Sequence, residues 1–219
     1  MIKERRMKVL AVMGTKRKTG SVCRLSREVL RGAQENGHQV ELINLYDYNI
    51  KFCTGCWSAA RTGACALKDD FDEIFTKFTA ADVVLLGSPC YWGGVTAIMK
   101  NFFDRHTGPA MYKPSGADQF GELSLGGKIR TVLREVKLFG AYPHLRGKRY
   151  IFVTAMTAFF PISRLWGDLP ATLKAMKIYC KKLNGRLAGK LVYTDTLFRF
   201  NPGKEARMMR KAFALGRRL

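Results

Sequence analysis

Three stretches of this chain put groups capable of chemistry at spacings that loops between strands and helices use. The first is GTKRKTGSV at residues 14–22. It offers hydroxyls at Thr15, Thr19 and Ser21, cations at Lys16, Arg17 and Lys18, and Gly20 just ahead of a helical pattern. Free N–H groups and hydroxyls at a helix N-terminus that follows a strand make a phosphate site. The spacing is neither GxGxxG nor GxxxxGKS, so neither nucleotide fingerprint is present. On its residues alone the stretch is either a phosphate cradle or a basic surface loop.

The second stretch is SPCYWGG at residues 88–94. Pro89 sets a turn, Tyr91 and Trp92 present flat apolar faces, and Gly93 and Gly94 let backbone N–H groups approach closely. A planar heterocycle with polar edges suits such a loop. The competing reading is an ordinary strand–helix turn with a tryptophan lying over the core. The third stretch is KFCTGCWSAARTGAC at residues 51–65, with Cys53, Cys56 and Cys65 inside thirteen residues. Three thiols so close suit metal, cluster or disulfide chemistry, or are simply loop thiols. His38, His106 and His144 each stand singly, so no catalytic histidine is assigned.

The elements that must position these loops follow from periodicity. Apolar runs at Met7 to Met13, Gln39 to Leu45, Val83 to Leu86, Gly147 to Thr154 and Lys190 to Thr194 are strand-length. Helical patterns lie between them. Val22, Leu25, Val29 and Ala33 share a face behind a Ser21 N-cap, and Asn36-Gly37 ends that helix. Phe71, Ile74, Phe75 and Phe78 share another face, as do Ile98, Met99, Phe102 and Phe103. Leu173, Met176, Cys180 and Leu183 form a later one, closed by Asn184-Gly185, and Glu205 to Arg218 is a final basic amphipathic helix. Residues 106–147 read as an irregular insertion, with a helix over Lys128 to Phe139. Strands alternating with helices predict an α/β fold, a doubly wound five-stranded parallel sheet with helices on both faces, in one domain over 1–219. The strongest loops then share the carboxyl edge of the sheet, where such folds bind ligands.

Composition narrows the partners. The 38 basic and 17 acidic residues give a net charge of +21. They are spread along the chain with no nucleic-acid-binding signature, so no nucleic-acid partner is expected. The charge suits phosphorylated ligands or an acidic redox protein. No apolar run reaches membrane-spanning length. The charged start MIKERRMK leads straight into a strand, and a cytoplasmic protein is expected. Six cysteines in such a chain do not suggest a disulfide framework.

The motifs GTKRKTGSVCRL, CTGCWSAARTGAC and GSPCYWGGVTAIMKNFFDR, in this order, resemble the flavodoxin-like NADPH-dependent FMN reductase superfamily, and its iron–sulfur flavoprotein branch in particular. The resemblance runs over roughly residues 7 to 200 and is sharp in these motifs. It implies an FMN-dependent NAD(P)H oxidoreductase with flavin-centred chemistry and no catalytic side chain. The acceptor would be a small molecule (a quinone, an azo or nitro compound, or free flavin). The alternative is an electron carrier to a protein partner. Thr15, Arg17, Thr19, Gly20, Ser21 and Val22 would hold the FMN phosphate, with Val22 standing where the family usually has a hydroxyl. Pro89, Cys90, Tyr91, Trp92, Gly93 and Gly94 would line the isoalloxazine. Thr154, Met156 and Thr157 would meet it from the remaining side. The branch carries four cysteines as C-x2-C-x2-C-x4–7-C. Here Cys53, Cys56 and Cys65 fit, but Ala59 takes the third position, so a 4Fe–4S cluster is not expected. Relatives of this kind form dimers or tetramers, so a homodimer or homotetramer is expected, with Phe102, Phe103 and the insertion as contacts.

Overall fold

The computed structural model describes residues 6–62, 64–110, 124–130, 145–158, 162–196 and 202–219. Five strands form one parallel sheet: β1 (Lys8–Met13), β2 (Gln39–Asn44), β3 (Val83–Gly87), β4 (Arg149–Ala155) and β5 (Arg186–Tyr193). Their order is β2-β1-β3-β4-β5. This is the flavodoxin-like order, and the direction of winding reverses between β1 and β3.

Strand parity explains why the sheet is covered on both faces. Leu10, Val12, Val84, Leu86, Tyr150 and Phe152 point to one side. There they meet α3 (Phe71–Ala80), α4 (Ala97–Arg105) and α8 (Asp168–Lys182) through Phe71, Ile74, Phe78, Met99, Phe102, Met176 and Tyr179. Val9, Ala11, Met13, Val83, Leu85, Ile151 and Val153 point to the other side. They pack on α1 (Ser21–Glu35) and α9 (Pro202–Gly216). Those two helices touch backbone to backbone. A methyl group at Gly32 would collide with Phe213 O, and one at Gly216 with Val29 O. Central strands buried on both faces explain the unbroken apolar runs.

One expected helix end moves. Gly20, not Ser21, is the N-cap of α1, and no side chain caps it. The first helix ends at Glu35 with Gly37 at φ +82°, as Asn36-Gly37 leads one to expect. Short elements without periodicity were not legible: α2 (Ser58–Thr62) in the cysteine loop, α5 (Thr107–Ala110) and α7 (Ile162–Leu165). A helix over residues 125–130, α6, overlaps the start of the expected Lys128 to Phe139 helix, and the rest of that stretch lies outside the described residues, as does His144. Phe102 is fully buried and offers no contact surface, while Phe103 is half-buried and stacks on Tyr179 at 4.0 Å. Among the described residues no helix is long and apolar enough to cross a membrane.

Candidate functional site

The loop after β1 is fixed from below and open above. Gly14 N–H donates to Gly87 O (2.8 Å), Asn44 Nδ2 donates to Thr15 O (2.9 Å), and Gly20 N–H donates to Arg17 O (2.9 Å). Thr15 is buried and its Oγ1 accepts from Arg17 N–H at 3.3 Å. Lys16, Arg17, Lys18 and Thr19 are exposed, while Gly20 and Ser21 are half-buried. Lys18 is committed to Asp47 at 2.7 Å. The first N–H groups of an α-helix have no partner within the helix. In α1 those of Ser21, Val22 and Cys23 also have no capping side chain. A 15-residue helix therefore presents bare donors and its positive dipole end beside a hydroxyl and a free cation. That donor set fits a phosphate. Val22 takes part only through its backbone, because its side chain is buried in the core.

The loop after β3 is a tight hairpin standing out of the sheet. Tyr91 N–H donates to Gly94 O (3.0 Å) and Gly94 N–H to Tyr91 O (2.9 Å). Trp92 (φ +48°) and Gly93 (φ +69°) occupy its corner, both left-handed, as a type I′ turn requires. A tryptophan in that conformation is strained, and strain of this kind gathers at functional positions. Trp92 is wholly exposed and Tyr91 largely so, so the competing reading of a tryptophan lying over the core is not met. Gly93 packs on α8: a Cβ there would stand 3.1 Å from Asp168 Oδ1. Cys90 faces inward, its N–H donating to Ala155 O (2.9 Å) and its sulfur 3.0 Å from Thr172 Oγ1. Burial pushes the Cys90 thiol up, so it is held protonated.

Two residues missed in the sequence lock these loops together. Ser88 and Thr96 are both buried. Thr96 N–H donates to Ser88 Oγ (2.9 Å), Ser88 Oγ donates to Pro89 O (3.0 Å), and Thr96 Oγ1 donates to Gly14 O (2.6 Å). Thr96 sits at the N-cap of α4 but spends its hydroxyl on Gly14 instead of capping the helix. Hydroxyls eight residues apart at the two ends of a loop between apolar runs were the available signal.

The loop after β4 places its three expected residues differently. Met156 is buried and its N–H donates to Tyr193 O (2.9 Å), while Thr157 is exposed. Thr154 sits inside β4 with its side chain fully buried and its Oγ1 unpartnered, so its hydroxyl does not line the edge. Leu165 and Trp166, just beyond, are exposed. Phe159, Phe160 and Pro161 lie outside the described residues.

The cysteine loop is a separate feature. Cys53 and Cys56 are exposed and Cys65 is half-buried, and none is in a disulfide. They line a cleft of about 40 Å³ with Ala59, Arg105 and Gly108. Among the described residues no three potential ligands are grouped to hold a metal ion. With Ala59 at the third position of the run, the loop's three thiols are one short of the four-thiolate set of a 4Fe–4S cluster.

His106 is buried in a cage of Phe71, Phe78, Phe102 and Tyr179, with ring centroids at 4.5–5.5 Å. Its Nδ1 lies 2.7 Å from Phe102 O, so the proton sits on Nδ1. Burial pushes the imidazole down to about 4, against the opposing pull of the Phe102 carbonyl. It stands in the core and not at the carboxyl edge.

Known proteins agree with this geometry. An iron–sulfur flavoprotein of Methanocaldococcus jannaschii is 41% identical over 99 residues, 45% of this chain and 51% of that protein. An NAD(P)H-dependent FAD/FMN reductase of Geobacillus thermodenitrificans is 30% identical over 100 residues, 45% of this chain and 50% of that protein. The chain spans about half the length of these curated relatives. An NAD(P)H:quinone oxidoreductase from Methanothermobacter marburgensis shares the fold, with a TM-score of 0.69 at 12% identity, covering 97% of this chain and 96% of that one. So does an FMN-dependent NADH-azoreductase from Bacillus anthracis in complex with FMN, with a TM-score of 0.68 at 13% identity over 96% and 98% of the two chains. Residues 7–148, well over half of the chain, match the family described as NADPH-dependent FMN reductase, and the chain belongs to that family.

Proposed function

We propose that this chain binds FMN at the carboxyl edge and passes electrons from NAD(P)H to a small acceptor such as a quinone, an azo or nitro compound, or free flavin. The observation that carries the reading is the pairing of two loops. The uncapped end of α1 and the strained Trp92 turn stand at one edge, tied by the Thr96–Gly14 hydrogen bond. When bound, FMN supplies the redox chemistry. The chain's own part is placement. N–H groups of Ser21 and Val22, with Arg17, Thr15 and Thr19, hold the phosphate. Tyr91, Trp92, Gly93 and Gly94 lie along the ring, and Met156 and Thr157 close the far side. No side chain at this edge is required as acid or base. The relatives' names, two reductases and an FMN-bound azoreductase among them, support the same reading.

The test is an FMN titration of purified protein, followed by NAD(P)H oxidation with a quinone as acceptor. Stoichiometric binding with turnover supports the proposal; colourless protein that ignores FMN rejects it. The charge of +21 favours a second reading, an electron carrier to an acidic redox protein. Under that reading FMN binds, but NAD(P)H turnover with small acceptors stays at background. The proposal also takes the protein as a cytoplasmic homodimer or homotetramer. The exposed Tyr91, Trp92, Leu165 and Trp166 give the edge an apolar surface for a second copy, and light scattering with FMN bound reads the assembly.

A further inference from the structure

We infer that the cysteine loop is metal-independent, its neck closed by the buried Asp69–Arg105 ion pair, so that no iron relay stands between the site at the carboxyl edge and its acceptor. The second half rests on the FMN reading; the first does not.

The loop leaves the body at Lys51 and returns at Asp69, and one carboxylate ties both ends. Asp69 Oδ2 accepts from Lys51 N–H (2.8 Å) and Oδ1 accepts from Phe71 N–H (3.1 Å). Arg105 donates to both oxygens, at 2.5 and 3.0 Å. The same guanidinium donates to Lys51 O (2.9 Å), reaches Cys65 Sγ (3.5 Å) and lies over the Phe71 ring (4.6 Å). Both side chains are shut off from solvent, at 1% and 0% exposed. Asn101 Nδ2 adds a bond to Ile50 O at 3.2 Å. Burial alone pushes the Asp69 carboxyl up, but the donors from Arg105, Lys51 and Phe71 outweigh it and hold the group below the usual carboxylate range. A buried charge pair with its hydrogen bonds made is a rigid clamp, and breaking it leaves a charge stranded.

The position of the missing ligand is filled. Ala59 is buried, and a Cβ placed on Gly108 would stand 2.9 Å from its methyl carbon, so α2 and α5 are in contact there. The three thiols outside the loop are placed elsewhere. Cys23 is buried in the core under α1, Cys180 is in the core on the other side of the sheet with its thiol pushed up to about 11 by burial, and Cys90 faces Thr172. The cleft of about 40 Å³ admits a water or two. With no iron relay among the described residues, the acceptor has to reach the Trp92 edge itself.

The experiment uses the wild-type protein, purified anaerobically. Iron and acid-labile sulfide are measured before and after incubation with ferrous iron and sulfide. Alkylation of each cysteine is mapped with and without a chelator. Background iron and sulfide throughout, and an alkylation pattern indifferent to chelator, are expected. Roughly four irons and four sulfides per chain, or a Cys65 that becomes reactive on chelation, overturns the inference. Asp69→Asn isolates the clamp: Cys65 alkylation rises about a hundredfold, as a broken buried pair opens its segment, while Cys180 stays protected. An unchanged Cys65 rate in that variant overturns the clamp. Failure of the protein to take FMN would reject the functional reading and leave the iron result standing.

Discussion

Trp92→Asn separates what the Tyr91–Gly94 turn costs from what it does. Trp92 holds φ +48°, where an L-residue with a bulky side chain is strained by about 1–2 kcal/mol. Asparagine tolerates this conformation. Trp92 is wholly exposed, so replacing it gives up no buried surface. The reciprocal bonds between Tyr91 and Gly94 are backbone bonds and survive. The free protein should therefore gain about 1 kcal/mol, a rise of roughly 2–4 °C in Tm for a chain of this size. FMN binding should move the other way. Losing one aromatic face from a stacked ring costs about 1–2 kcal/mol, a rise in Kd of roughly five- to thirtyfold. Thermal unfolding without FMN gives the first number, and quenching of FMN fluorescence on titration gives the second. A variant that is less stable shows that the strain argument is wrong. One that binds FMN within twofold of wild type shows that Trp92 does not face the ring.

Thr96→Val keeps shape and removes the hydroxyl that serves Gly14 O, leaving a buried carbonyl without this donor. Stability should fall by about 1–3 kcal/mol, and FMN affinity should fall with it because the two loops lose their tie; chemical denaturation and the same titration check both. Ser21→Asp puts a carboxylate on the bare N-terminus of α1, stabilising the free protein by about 0.3–1 kcal/mol while repelling phosphate, so Tm should rise and FMN binding weaken by tenfold or more. His106 gives a pH signature. Its folded value of about 4 lies below the unfolded value near 6.5, so the unfolded chain binds more protons between them. Stability should be full above pH 6.5 and decline by up to about 3 kcal/mol as pH falls to 4. His106→Phe, sized for the aromatic cage, should flatten that window in urea titrations at several pH values.

The core and the order of the strands were readable because each strand is apolar on both faces and each helix on one. Val83 to Leu86, with zero exposure, could hardly be anything but a central strand. The failures have physical causes. Ser21 looks like a cap because serine usually is one, yet the chain reaches the helix through Gly20, which leaves the N–H groups open. Thr154 reads as the last residue of its strand, with its side chain at the edge. The strand runs one residue further, to Ala155, and the Thr154 side chain is fully buried within it. The Ser88–Thr96–Gly14 chain joins positions 82 residues apart, beyond the reach of any local pattern.

The cysteine loop shows the same limit from the other side. Cys53, Cys56 and Cys65 are close in sequence, and closeness alone left metal, disulfide and plain loop thiols all open. What holds that segment is Asp69 and Arg105, 36 residues apart, which carried no motif between them. Asp69 reads as one of two acids before a helix, and Arg105 as the end of another. Each becomes legible only when α4 passes the neck of the loop and buries both charges. A charged side chain is shut off from water at real cost, so a buried pair spanning two elements marks a junction the fold depends on. By that criterion the neck, not the thiols, is what ties the third loop to the rest of the molecule. Under the proposed reading, the chemistry of this chain then rests on the two loops beside β1 and β3, where helix dipole, strained turn and buried hydroxyls converge on one edge.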